Sequence, residues 1–193
     1  MSKSPHIRPL SRLLTAGAAV LPLMLAACGT TSDEKAAFAA AHPCPRIAVL
    51  GGAEQVVVFD GRGTDITNVV ARAEIQKSAL TCEYDEDEKT ISMDLGFNGL
   101  AELGPAATGS ELHLRGFVAV TRGDDTVIRK TFVDVPVVFD KGSQKMHFVS
   151  TLEDNVLSYS DSVDGSTYEI LVGFQLSPDQ LAYNKAHGPL RLK

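Results

Sequence analysis

Histidine and cysteine are scarce, five and three of 193 residues. No serine stands in a G-x-S-x-G turn, the strained setting that exposes a nucleophile in many hydrolases, so nothing marks an acyl-transfer centre. No C-x-x-C occurs, which removes the thioredoxin-like redox pair and the paired-cysteine zinc site. The run Asp85-Glu86-Asp87-Glu88 lacks the spaced oxygens of a D-x-D-x-D-G calcium loop; it reads as a charged hairpin tip, with calcium binding as the competing assignment. Gly61-Arg62-Gly63 is too short for a dinucleotide cradle and has no helix where one is needed, so it reads as a turn.

Positive charge is also short. Lys3, Arg8 and Arg12 precede residue 28, so the remainder keeps 15 basic against 24 acidic residues, a formal charge of −9. Such a body repels phosphate backbones, and nucleic-acid binding, which needs a basic face to displace counterions, is not expected. A long apolar run is missing as well. The uncharged stretch Leu13 to Ala27 would make a helix of about 22 Å, against the roughly 30 Å of a membrane core. Pro22 breaks it further.

That stretch instead completes an export signal: a cationic start, an apolar middle and small residues before a cut. The cut falls in Leu25-Ala26-Ala27-Cys28, which reads as a lipobox, so the mature chain is expected to begin at a lipidated Cys28. The competing reading is an ordinary secretory signal that leaves a free thiol. Each buried methylene of an acyl chain contributes about 0.8 kcal/mol, so two or more chains anchor stably where one does not. Gly29, in place of the Asp that retains such proteins at the inner membrane, points to the outer membrane, facing the periplasm. The expected partners are therefore the membrane, through the lipid, and a protein of the envelope.

With Cys28 acylated, Cys44 and Cys82 are left in a compartment that permits oxidation, and a disulfide is the natural pairing. Closing a loop of about 39 residues would stabilise the fold by roughly 4 kcal/mol on the chain-entropy estimate. Metal binding and a reactive thiol are the competing readings. No cofactor or metal site is assigned.

Beyond Cys44 the apolar residues recur with period two, the mark of strands with one buried face. Ile91, Met93, Leu95 and Phe97 alternate with Ser92, Asp94 and Gly96, and Leu112, Leu114, Gly116, Val118 and Val120 alternate with His113 and Arg115. Val127 to Val137 and Tyr168 to Leu176 behave alike, and shorter strands are expected at 47–50, 56–59, 69–77, 79–84 and 145–152. Turns at Asp60 to Gly63, Asp85 to Glu88, Gly123 to Asp125, Asp140 to Gly142 and Asp164-Gly165 separate them. The expected fold is all-β, an immunoglobulin-like antiparallel β-sandwich of seven to nine strands. A short C-terminal helix, running to about Asn184, should follow from Ser177-Pro178-Asp179-Gln180, which supplies a capping serine, a proline at the first helical position and a glutamine at the third. The expected boundaries are a signal peptide at 1–27, a lipidated tether at 28–43, the sandwich at 44–186 and a flexible tail at 187–193.

Cys44-Pro45-Arg46-Ile47-Ala48-Val49-Leu50, Thr81-Cys82, Gly104-Pro105-Ala106-Ala107 and Ile170 to Pro178 resemble segments of a group of uncharacterised alphaproteobacterial envelope lipoproteins. The resemblance covers about residues 44–184. It implies the envelope address and the cysteine pair, and no catalytic residues.

Few residues are left as chemical candidates. His113, His147 and His187 are spread over different elements; His113 and His147 read as exposed strand residues, with a metal pair formed by strand adjacency as the alternative. Ser158, Ser160 and Ser162 read as turn residues, and Arg122-Gly123-Asp124 as a hairpin reversal. Thr151 to Asp164 is the most function-like loop, its plainer reading being a polar connection with one tyrosine anchored to the core. The expectation is a non-enzymatic binding or assembly module. A subunit of an envelope transport machine, or a small-ligand carrier or enzyme with a site between the sheets, is the alternative.

Overall fold

A computed structural model describes residues 30–123, 126–189 and 192. Cys28 and the export signal lie outside the described residues. A helix, α1 (Thr30–Ala41), leads into eight strands: β1 (Arg46–Val49), β2 (Gln55–Phe59), β3 (Val69–Asp85), β4 (Thr90–Leu103), β5 (Glu111–Arg122), β6 (Thr126–Val138), β7 (Lys145–Ser158) and β8 (Tyr168–Phe174). A second helix, α2 (Pro178–His187), closes the chain. The strands form two four-stranded sheets, ordered β1-β8-β5-β6 and β2-β3-β4-β7.

Alternation builds the interior. Ile91, Met93, Leu95 and Phe97 of β4 meet Leu112, Leu114, Val118 and Val120 of β5, with Ile170, Val172 and Phe174 of β8, in one core drawn from both sheets. Apolar surface removed from water contributes about 25 cal/mol per Å², so these apposed faces supply the main driving force for folding. The β3–β4–β7 layer is packed tightly enough that Gly99 has no room for a side chain: a Cβ there would lie 2.0 Å from the Glu74 carbonyl oxygen and 2.5 Å from Cζ of Phe148.

Four expectations need correction. The sandwich is not wholly antiparallel, because β1 runs parallel to β8, from Arg46 opposite Glu169 to Val49 opposite Val172. The short link after β1 carries the chain to the other sheet, so β1 and β2 never form a hairpin; alternation in four residues carries no information on direction. The strands expected at 69–77 and 79–84 are one strand. A bulge between Ile75 and Lys77 moves the inward positions from odd numbers (Val69, Ala71, Ala73, Ile75) to even ones (Leu80, Cys82, Tyr84), and the change of parity reads in sequence as an interruption. β7 continues to Ser158, so most of the expected loop 151–164 is strand; a register shift opposite Met93 and Leu95, with Asp154 at φ 56°, hides its second half from a period-two reading. Helix α2 runs to His187, past the expected end near Asn184 and into the expected tail.

The turn chemistry of α2 is as expected. The Ser177 hydroxyl accepts from the Gln180 backbone N–H at 3.2 Å, and the Ser177 N–H donates to Oε1 of Gln180 at 2.8 Å. The helix is laid along β2. Nε2 of Gln180 donates to the Val57 carbonyl at 3.0 Å and Nδ2 of Asn184 to the Gln55 carbonyl at 2.9 Å, while Phe59 and Tyr183 meet edge to face at 5.1 Å. The free edge of β2 is thereby capped by side chains.

Gly99→Ala is expected to lower the unfolding free energy by about 1–3 kcal/mol or more, since a backbone carbonyl must move to admit the methyl group. Urea denaturation checks this, and an unchanged midpoint would contradict the β3–β4 packing.

Candidate functional site

Cys44 and Cys82 are joined in a disulfide with Cα atoms 5.8 Å apart. Both sulfurs are thereby spent, and neither is a thiolate ligand or a nucleophile. The bridge fastens the segment ahead of β1 to the end of β3, and the surrounding contacts tighten the same junction. The Tyr84 hydroxyl donates to the Pro43 carbonyl at 2.9 Å and accepts from the Gly165 N–H at 2.7 Å. Burial pushes the Tyr84 phenol above its ordinary pKa, which keeps it protonated and able to donate. Gly165 is needed there: a Cβ would stand 2.3 Å from the Pro43 oxygen and 2.6 Å from the Tyr84 hydroxyl. Beside it, the Asp164 carboxylate accepts from the Ser166 N–H at 3.0 Å and the Ser166 hydroxyl at 2.5 Å, bonds that hold its pKa below the usual range.

Helix α1 ends on this junction. Phe38 packs against the core, stacks on His42 at 4.0 Å and meets Tyr84 edge-on at 5.7 Å. Tyr159 joins the group 4.9 Å from Tyr84, with Nζ of Lys89 5.4 Å from its ring. The last turn of the expected tether is thus seated on the folded body. A shallow cavity of about 260 Å³ opens here, lined by Phe38, His42, Cys44, Cys82, Tyr84 and Glu86 among others. Its histidine and cysteines are already engaged: His42 Nδ1 lies 3.0 Å from the Phe38 carbonyl, and the cysteines are bridged. The junction is structural in character.

The remaining candidates are dispersed. His113 on β5 and His147 on β7 are both exposed and belong to different sheets, on faces that point away from each other, so strand adjacency does not bring them together. His113 sits between Asp134 at 3.0 Å and Glu111 at 3.2 Å, which raise its pKa, Asp134 most. His187 lies 2.9 Å from the Tyr183 carbonyl through Nδ1 and stacks on that ring. Among the described residues no group of three or more His, Cys, Asp or Glu is placed to hold a metal ion. At the acidic tip, Asp85 accepts from the N–H groups of Asp87 and Glu88, as a hairpin turn does. Arg62 pairs with Asp60 within its own turn. Arg122 and Gly123 end the β5–β6 hairpin; Asp124 lies outside the described residues. What is left of the 151–164 loop is a short turn in which the Tyr159 N–H donates to the Lys89 carbonyl at 2.9 Å and the Tyr159 ring is buried; Ser158 closes β7, and Ser160 pairs with Val163.

One surface stands apart, and alternation concealed it. β6 and β7 are the terminal strands of their sheets and lie side by side, bridged where Arg129 donates to the Val156 carbonyl at 3.1 Å. From Thr126 to Phe132 every residue of β6 is exposed. Val127 is 57% exposed, Ile128 49% and Phe132 49%; Val138, also on β6, and Val149 and Val156 on β7 are exposed as well. A bulge between Val120 and Thr121 turns Ile128 out of register. The valines at 133, 135 and 137 face the core, and Val127, of the same parity in sequence, pairs with Thr121 beyond the bulge and so falls on the opposite face. Two cations flank Phe132: Arg115 stands over its ring at 4.4 Å and Lys130 at 5.3 Å, while Lys130 also lies 4.3 Å from the Phe117 ring. The nearby carboxylate of Asp134 is engaged by His113.

No protein-family model matches this chain, and comparison with curated proteins and with solved structures finds no match.

Tyr84→Phe is expected to cost about 1–3 kcal/mol of stability, because the Gly165 N–H loses its acceptor; denaturant titration checks it, and a change within error would mean that the junction is slack. His113 should titrate above the ordinary histidine value and return toward it in Asp134→Asn, as followed by NMR of the imidazole. Because its folded pKa is raised, its ion pairs stabilise the fold below the unfolded pKa, and that contribution is lost as pH rises through the folded value.

Proposed function

We propose that this chain is a lipid-anchored envelope lipoprotein facing the periplasm, and that its immunoglobulin-like body is a non-enzymatic binding or assembly module. The observation that carries the module reading is the contrast between the two sides of the sandwich. One outer edge, β2, is capped by α2. The β6–β7 side is uncovered and apolar, and exposed apolar clusters on a folded body mark places where partners dock.

Three features support the address. The sequence around Cys28 reads as a lipobox. A disulfide within the body suits a compartment outside the reducing cytosol. Helix α1 starts two residues after Cys28 and ends docked on the sandwich, so an acylated Cys28 would join the body through a strut of about 18 Å. The inner faces of the sheets are filled by their own side chains, which favours a binding surface over a ligand held between the sheets.

The mature protein is expected to begin at Cys28 carrying acyl chains, and Cys28→Ser is expected to appear in the soluble fraction with an unaltered melting temperature. Intact-mass measurement and fractionation check both. A chain that still starts at Met1, or bears an unmodified thiol at residue 28 and is not membrane-bound, would overturn the anchor.

A further inference from the structure

We propose that the half-strand Thr126–Val133 of β6 takes up an extended, acidic segment of a protein partner as an additional strand of its sheet. The proposal rests on the module reading above and gives that module its site and the chemistry of its ligand.

Three observations locate the site. An edge strand leaves a row of backbone N–H and C=O groups unpaired, and an extended peptide can satisfy them while its alternate side chains supply specificity. The edge of β2 is already occupied by Gln180 and Asn184, and β1 is a four-residue strand held against β8. On β6, Pro136 has no N–H to offer and blunts the second half of the edge. The fourth edge, β7, lies beside β6 with its Val156 carbonyl already taken by Arg129, which leaves 126–133 of β6, where the exposed Val127, Ile128 and Phe132 gather.

Charge selects the occupant. Arg115, Arg129 and Lys130 surround the half-strand, and among the described residues none of them forms an ion pair with a carboxylate. Arg115 and Lys130 lie over aromatic rings, Lys130 also donates to Oε1 of Gln175 at 2.8 Å, and Arg129 donates to a backbone carbonyl. The adjacent carboxylate, Asp134, is paired with His113, so the strip is apolar with three cations against one engaged acid, on a chain of formal net charge −6. A second copy pairing through the same edge would set Arg129 and Lys130 against their own counterparts, a repulsion that disfavours self-association. A partner strand carrying Asp or Glu between apolar residues would answer both the charge and the exposed side chains.

The test places a photo-reactive phenylalanine analogue singly at Phe132, at Val149 and at Ile66 of the full chain in cells, followed by mass spectrometry of the crosslinked peptides. Position 132 is expected to give an adduct whose partner peptide is rich in Asp or Glu and alternates with apolar residues. Arg115→Glu with Lys130→Glu should cut its yield by about tenfold or more without lowering the melting temperature. Should that variant unfold, the full chain purified in detergent is titrated with fluorescent peptides of alternating Glu and Val, and of alternating Lys and Val; the acidic peptide alone is expected to bind, and more weakly in high salt. Adducts at Val149 or Ile66 with none at Phe132 would overturn this site and leave the module reading standing. Adducts at no position would overturn the module reading itself. A partner peptide from this same chain, a partner peptide without acidic residues, or equal binding of the two synthetic peptides would overturn the chemistry proposed.

Discussion

Each sheet of a sandwich buries one face against the other, but its outer strands still carry backbone groups with no ladder partner, and that constraint organises this molecule. An unpaired edge invites pairing with other chains unless something covers it. Here the coverings differ from edge to edge. β2 is sealed by Gln180 and Asn184 of α2, which reach its carbonyls directly. β1 is short, runs parallel to β8, and is preceded by the segment that the disulfide and the Tyr84 hydroxyl tie down. β6 receives only a proline in its second half, and β7, the fourth terminal strand, lies beside it and is touched there by Arg129. The side left open is also the side where large apolar side chains face solvent, and the two facts together are the ground for proposing it as the docking surface of the body.

The junction at Pro43 serves a different purpose. It gathers the segment ahead of β1, the end of β3 and the turn before β8 into one contact through Tyr84, Gly165 and the Cys44–Cys82 bridge. The aromatic side chains Phe38, His42 and Tyr159 extend that contact to α1. A chain held at its amino terminus would therefore hold the body at the β3–β4 hairpin end, where Asp85 to Glu88 sit, in a defined attitude set by packing.

How far the residues announce this architecture depends on whether the relevant signal is local. Alternation through Ile91 to Phe97 and Leu112 to Val120 is local, and so is the cap at Ser177 to Gln180; each appears in the structure where the pattern places it. The cysteine pair was legible from compartment chemistry and arithmetic. The parallel β1 was not, since strand direction is decided by which sheet the following link enters. The bulges near Gln76 and Asp154 defeat a period-two reading because one added residue moves every later side chain to the other face. The open edge was hidden in the same way: Val127 repeats the spacing of Val133, Val135 and Val137, but the extra residue Ile128 sets it opposite Thr121 and so on the other face of the sheet. The histidines that the sequence raised as possible sites turn out to be scattered, with His113 and His187 each bonded to its own neighbours.

Residue-resolved hydrogen exchange on the isolated full chain tests the central contrast between a covered and an open side most directly. The account predicts slow exchange for amides of β2 and β5, and exchange near the unprotected rate for the outward-facing amides of residues 126–133. Protection in that half of β6 equal to that of β5, in a chain shown to be monomeric, would mean that the edge is already covered and would contradict the account.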